Sequence, residues 1–274
     1  MPATPAWPPK SAPRLFVAGP LAAGTAVRIE GNPAHYLARV MRVAPGDAVI
    51  LCDDMTGEWA ARVMDAGKRD VLLDVVEKLR EREAVPDLWL CPALLKKDRF
   101  DLILEKATEL GAARIQPLVT RRCVADKLNL ERARTITTEA AEQCARTALP
   151  ELADPVKLDA LIASWPNDRA LFFADENGGE PAVQAFASLG ESPRGRGPQA
   201  GEREPEEGPR LRGGSQYAKA AILTGPEGGF DEAERAAIRA HPAARPITLG
   251  PRILRGETAA IAALAAWMAT AGDW

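Results

Sequence analysis

The chain has 274 residues, 46% hydrophobic and 27% charged, with a formal net charge of −3. That length admits one large or two medium domains with real cores, and the near-balanced charge gives no support to a wholesale basic nucleic-acid binder, although a local run such as "LLKKDRF" can still form a basic face. No apolar run reaches the length of a membrane span, and "MPATPAWPPKSAP" has no hydrophobic signal core, so residues 1–13 read as a disordered proline-rich tail on a cytoplasmic protein.

Residues 14–80 read as short strands, "RLFVA", "AVRIE", "AVILCDD", "GEWAARVMDA" and "DVLLDVVEKL", with a helical turn at "PAHYLARVM" and a chain reversal at "APGD". Many short strands with one helix predict a small β-barrel domain. Residues 81–87, "EREAVPD", read as a linker.

The periodicity changes at residue 88. "LWLCPALL" is a predicted strand, and "DRFDLILEKATELG" a helix with Phe100, Ile103, Ala107 and Leu110 on one side, Asp98 as N-cap and Gly111 past its end. "ARIQPLV" follows as a strand. A helix over 131–147, strand "RALFFAD", a short helix after Pro181, strand "KAAILTG", a helix from Asp231, strand "PITLG" and an Ala-rich helix from Gly256 continue the alternation. Asp231 with Glu234 three residues on is a capping-box pattern. The expectation is an α/β domain over 88–274, built on a parallel sheet with helices on both faces. Residues 190–216, rich in Gly, Pro, Glu and Arg, read as a disordered insertion, the alternative being a nucleic-acid-binding arm.

Cys52, Cys91, Cys123 and Cys144 form no C-x-x-C pair and read as reduced thiols; two histidines, His35 and His241, are too few and too far apart in sequence for a histidine metal site, so no metal is expected. The glycines are more telling. "ILTGPEGGFDEAE" and "ITLGPRILRGETAA" both run from a strand through Gly-Pro into a helix, one βα step apart, and in a parallel sheet such loops emerge at one edge. Neither fits the phosphate-binding P-loop or the dinucleotide G-x-G-x-x-G pattern.

Taken in order, "RLFV…HYLARVMRVAPGD", "EKATELGAARIQPL", "AAEQC", "ILTGPEGGFDEAE" and "LGPRILRGETAAIAAL" resemble the RsmE-type 16S ribosomal RNA uridine-N3 methyltransferases of the SPOUT class, over nearly the whole chain from Arg14. The resemblance implies an N-terminal PUA-like RNA-binding domain, a C-terminal SPOUT domain threaded into a trefoil knot, a homodimer, S-adenosyl-L-methionine as cofactor, and 16S ribosomal RNA or the assembled small ribosomal subunit as partner, with no membrane involved. It further implies that Thr224, Gly225, Gly229, Leu249, Gly250, Ile253 and Leu254 surround the cofactor, with Phe173 or Ala174 closing another side.

Methylating uracil N3 requires loss of its proton, which a carboxylate or a polarising arginine assists. Glu227 and Glu257 stand in the two loops and Arg252 and Arg255 flank the second, so Arg255, Glu257 and Glu227 are the catalytic candidates; a structural cap or backbone anchor is the other reading of each carboxylate. Arg14, His35, Arg39 and Arg42 are RNA-binding candidates in the β domain, Arg39 and Arg42 at helical i, i+3 spacing suited to two phosphates. Lys96, Lys97, Arg99, Arg121 and Arg122 extend that track, and all of these cations also read as solvated charged faces. Glu105, Lys106 and Glu109 read either as a solvated helix face or as a dimer or active-site wall. Two other functions fit the residues: a non-catalytic RNA-binding module, and a nucleotide-dependent enzyme with "GPEGG" on phosphates.

Overall fold

The computed structural model describes residues 7–67, 69–189 and 218–274; the expected insertion at 190–216 and the first six residues of the expected tail lie outside the described residues. Two compact units emerge, Met1–Ala84 with Thr135–Leu149, and Val85–Arg134 with Pro150–Trp274.

The first unit contains β1 (Arg14–Phe16), β2 (Ala26–Glu30), α1 (Gly31–His35), a π-helical turn over Tyr36–Val40, β3 (Ala48–Cys52), β4 (Glu58–Ala66) and β5 (Asp70–Arg80). The sheet order is β1-β3-β4-β5-β2, with β1 parallel to β3 and every other pair antiparallel. Among the described residues no ladder joins β1 to β2. Val71, Leu73 and Val75 alternate inward along β5, as a half-buried strand requires, and meet Val49, Leu51, Val63 and Leu37 in one core. The helical turn ends before Arg42, whose φ of 54° puts it in the left-handed region, so Arg39 and Arg42 do not share a helix face at i, i+3.

The second unit contributes β6 (Leu88–Pro92), α2 (Lys97–Glu109), β7 (Arg114–Ile115), β8 (Leu118–Val119), α3 (Leu130–Cys144), β9 (Glu151–Leu152), β10 (Val156–Lys157), α4 (Leu158–Ala163), β11 (Ala170–Ala174), β12 (Glu180–Pro181), α5 (Ala182–Ala187), β13 (Ala220–Thr224), α6 (Glu232–Ala240), β14 (Ala244–Thr248) and α7 (Gly256–Ala271). The last part of α3, from Thr135, groups with the first unit. There the Glu142 carboxylate accepts a hydrogen bond from Phe16 N at 2.8 Å, and Glu83 accepts from Thr147 N and Ala148 N, each at 3.1 Å.

Seven parallel strands in the order β12-β14-β11-β13-β6-β7-β9 form the sheet of the second unit. β13 is buried at every position, as befits a strand covered on both faces. Leu171, Phe173, Ala221 and Leu223 pack with Leu158 and Leu161 of α4 and Ile238 of α6. Phe172 meets Phe186 of α5 edge to face, with ring centroids 4.8 Å apart, and α7 packs against α2, α5, β6 and β13. The predicted single strand "ARIQPLV" is instead two: β7 joins the large sheet and β8 pairs with β10. Pro117, which has no N–H to continue a ladder, stands at the break. Asp98 is not the N-cap of α2 but lies in its first turn after Lys96, where a carboxylate still suits the helix dipole. Leu104 and Thr108 fill the buried face of α2, with Leu110 only half-buried at its C-cap.

Candidate functional site

β11, β13 and β14 are parallel and adjacent or one strand apart, so the segments that follow them leave at the same edge. Together with Arg99 of α2, Arg235 of α6 and the start of α7, these segments enclose a cavity of about 440 Å³ within the second unit, a size suited to a cofactor-sized ligand. α6 is anchored beside it by a complete capping box: the Asp231 carboxylate accepts from Glu234 N at 2.7 Å and the Glu234 carboxylate from Asp231 N at 3.1 Å. That backbone hydrogen bond from Glu234, joined by Arg121 at 2.8 Å, holds the Asp231 carboxyl below the ordinary carboxylate range.

Ala174, Thr224, Gly225 and Gly229 line the cavity from one side, and Leu249, Gly250, Ile253 and Leu254 from the other. Two of these glycines have conformations that side chains resist. Gly250 has φ 108°, with open space for 4 Å around the place a Cβ would take, and Gly229 has φ 67°, where a Cβ would lie 2.7 Å from Glu176 Oε1. Gly225 has a different constraint, since a Cβ there would lie 2.9 Å from the Phe230 ring. Among the described residues the backbone N–H groups of Leu249, Arg252, Ile253 and Leu254 donate to no protein acceptor. A strand-to-helix segment with these four donors free, beside a cavity, leaves main chain available to a ligand.

Phe173 does not line this cavity. It is fully buried and packs on Phe230, with ring centroids 5.1 Å apart, because the pleat turns Phe173 toward α4 and α6 while the cavity begins at Ala174. Glu227 and Arg255 both line the cavity, whereas Glu257 stands outside its wall with a side chain 12% exposed. Arg252 and Arg255 are exposed and, among the described residues, make no side-chain hydrogen bond or ion pair. Five charged lining residues, Asp175, Glu176, Arg235, Arg99 and Arg252, stand outside the predicted cofactor and catalytic sets. Asp175, with its side chain buried, accepts from Arg235 Nε at 3.1 Å and from Arg239 Nη2 at 2.6 Å, while Arg235 Nη2 also donates to Glu176 at 3.0 Å. Asp175 ends the "LFFAD" stretch, a position at the carboxyl edge of a parallel strand that marks it in sequence. Nothing local marks Arg235. Arg99, expected only on a basic track, sits with Nη1 3.5 Å from Glu227 Oε1 and Nε 3.8 Å from Glu257 Oε1.

The remaining cations divide by what they touch. Lys96 and Lys97 are exposed; Arg121 pairs with Asp231, and Arg122 donates to Gly228 O at 2.9 Å, latching the glycine loop. In the first unit His35, Arg39 and Arg42 are exposed beside exposed Val40 and Met41. Arg14 is committed elsewhere: its Nη2 lies 2.5 Å from Oε1 of buried Glu58, which Arg80 also engages, so its geometry is that of an internal ion pair. Lys106 bonds Glu105 at 2.7 Å and Glu109 at 2.8 Å, and these bonds hold its ammonium above the ordinary lysine range. The four cysteines are free thiols, and burial pushes Cys52 and Cys91 up to about 12.

Fold and site together define a protein with a small β unit and a parallel α/β unit that offers a main-chain-lined pocket at the carboxyl edge of its sheet. The RNA methyltransferase domain family matches residues 81–268 and the RNA methyltransferase PUA domain family residues 29–76. The chain belongs to this RNA methyltransferase family. Its relatives include the ribosomal RNA small subunit methyltransferase E of Synechocystis, 31% identical over 92% of this chain and 76% of that protein, and that of Rickettsia conorii, 28% identical over 92% and 93%. The crystal structure of the ribosomal RNA small subunit methyltransferase E of Neisseria gonorrhoeae bound to S-adenosyl methionine is 26% identical, with a TM-score of 0.77 over 96% of this chain and 99% of that one.

Proposed function

We propose that this protein is an S-adenosylmethionine-dependent methyltransferase that methylates N3 of a uridine in 16S ribosomal RNA. The observation that carries the reading is the set of free main-chain N–H groups at Leu249, Arg252, Ile253 and Leu254, opposite Gly225 and Gly229, around a cavity of cofactor size in a chain of this family. Ala174, Thr224, Gly225, Gly229, Leu249, Gly250, Ile253 and Leu254 would hold the cofactor, largely through main-chain groups. When bound, it supplies an activated methyl group on a sulfonium.

The chain's own residues do the rest. Of the cavity-lining carboxylates, Asp175 and Glu176 are tied to Arg235, and Glu227 takes the N3 proton. Arg252 and Arg255, exposed and unpaired among the described residues, draw the RNA backbone to the rim. Arg39 and Arg42, with the exposed His35 beside them, present a second RNA-facing surface on the PUA-like unit. The reading extends to a homodimer working in the cytoplasm on RNA or on the assembled subunit, and to a trefoil knot. Late β13 lies between β6 and β11, and α7 packs back on β6 and β13, an arrangement that supports threading of the C-terminal segment. No described helix is long and apolar enough to cross a membrane.

Calorimetric titration with S-adenosylmethionine tests the pocket. Incubating the protein with small subunits from a strain lacking the orthologous gene, followed by mass-spectrometric mapping of methylated uridines, tests the reaction. A methyl group found on another base, or on uridine at an atom other than N3, overturns the specificity.

A further inference from the structure

Arg99 stands where three separated segments meet. It comes from the first turn of α2, Glu227 from the loop after β13, and Glu257 from the first turn of α7. The convergence is tight: a Cβ on Gly256 would lie 3.1 Å from Leu95 and 3.2 Å from Gly225 O, so any side chain there would push these segments apart by a few tenths of an ångström. The three charged groups differ in what they face. Arg99 and Glu227 line the cavity, but Glu257 does not; it sits behind Arg99, nearly buried, with Oε1 toward Arg99 Nε and with Oε2 buried and lacking a partner. The 3.8 Å ion pair from Glu257 Oε1 to Nε orients the cavity-facing guanidinium and leaves Nη2 of Arg99 without a hydrogen-bond partner among the described residues.

We infer that Arg99 is the catalytic cation of this site, and that Glu257, assigned by sequence to catalysis itself, is the residue that positions it. The inference rests on the proposed uridine-N3 reaction. In that reaction the N3–H bond breaks, its electron pair stays on the ring nitrogen, and the proton passes to the Glu227 carboxylate. The resulting negative charge spreads over N3 and the two flanking carbonyl oxygens. A guanidinium with a free edge is the donor that matches such an oxygen, and a preorganised donor stabilises the charge that develops during reaction. The other charged groups on the cavity wall are Arg252 and Arg255 from the loop after β14, and Asp175, Glu176 and Arg235 on the β11 side. Arg235 is bound to Asp175 and Glu176, and among the described residues Arg252 and Arg255 have no carboxylate that orients them. Arg99 alone among these arginines is both oriented and open.

The test uses the full-length protein with a 16S-derived substrate carrying either uridine or 5-fluorouridine at the target, the fluorine making N3–H more acidic. Arg99→Gln is expected to bind S-adenosylmethionine within twofold of wild type by calorimetry and to melt as wild type does. Its single-turnover rate on uridine should fall about 100-fold, the scale of losing one preorganised donor, and the 5-fluorouridine substrate should restore it to within about tenfold of wild type. Arg99→Lys should retain part of the rate. Glu257→Gln should lower the rate less than Arg99→Gln, and the double variant should be no slower than Arg99→Gln alone, since Glu257 acts through Arg99. Absence of rescue by 5-fluorouridine, multiplicative losses in the double variant, or loss of cofactor affinity in Arg99→Gln overturns the assignment. A wild-type protein that methylates an atom other than uridine N3 refutes the functional reading instead, whatever the variants do.

Discussion

Gly250→Val probes the pocket through its backbone. With φ at 108°, Gly250 lies beyond the left-handed well that a non-glycine residue visits, and holding such a residue there costs about 1–3 kcal/mol. Nothing lies within 4 Å of the Cβ position, so the cost is conformational and not a clash with the protein core. Being exposed, the loop relieves the strain by moving. A loop that moves must be returned to its shape for the cofactor to bind, and 1–3 kcal/mol spent at that step weakens binding by about 5- to 150-fold. The fold itself should lose at most the same 1–3 kcal/mol, roughly 2–4 °C of melting temperature per kcal/mol for a unit of this size. Gly46→Val is the matched control, with φ 96°, open space around its Cβ position and a place in the first unit. It should lose similar stability and keep its cofactor affinity. The assay is calorimetric titration with S-adenosylmethionine, with circular dichroism melts on the same preparations. A folded Gly250→Val protein with wild-type affinity would refute the placement of the cofactor at this loop.

Three further expectations follow from the geometry. Phe173→Ala should destabilise the protein by about 3–5 kcal/mol, the usual cost of emptying a fully buried aromatic site, and residual folded protein should bind S-adenosylmethionine normally; a selective loss of cofactor affinity would return Phe173 to the pocket. Burial alone would raise the Glu58 carboxyl, but hydrogen bonds from Arg14 and Arg80 prevail and hold it below the ordinary 4.5, so its contribution to stability is present above that pH and is lost as pH falls through the lower folded value. Urea midpoints measured from pH 7 to 3 should therefore decline more steeply for wild type than for Glu58→Gln, a comparison that removes the opposite effect of Glu142, whose carboxyl burial pushes up; parallel declines would refute it. Replacing Arg39 and Arg42 together by Ala should weaken RNA binding, reduce its logarithmic salt slope by about 1.4–1.8, at roughly 0.7–0.9 per phosphate contact, and leave cofactor affinity unchanged, whereas an unaltered slope would mark both as solvated surface.

The sequence by itself determined the alternation of strand and helix, the start of α6 at its capping box, and the two glycine loops that prove to face one cavity. Each of these is local: a period of two or of three to four residues, a cap, or a turn that glycine alone tolerates is written within a dozen residues. What lay beyond the sequence is long-range. Arg99 and Glu227 are 128 positions apart, and their meeting depends on β13 inserting beside β6, a strand order that no local pattern encodes. The same holds for Phe173 and Ala174, which the pleat sends to core and cavity, and for Arg14, which resembled a surface cation until Glu58 was found buried beside it. Residues 135–149 read as part of the α/β domain, yet Glu83 and Glu142 give their backbone contacts to the first unit. Adjacency of strands and the choice of partner for a buried charge are settled by which surfaces cover one another once the chain has folded, and that is information held only in the tertiary structure.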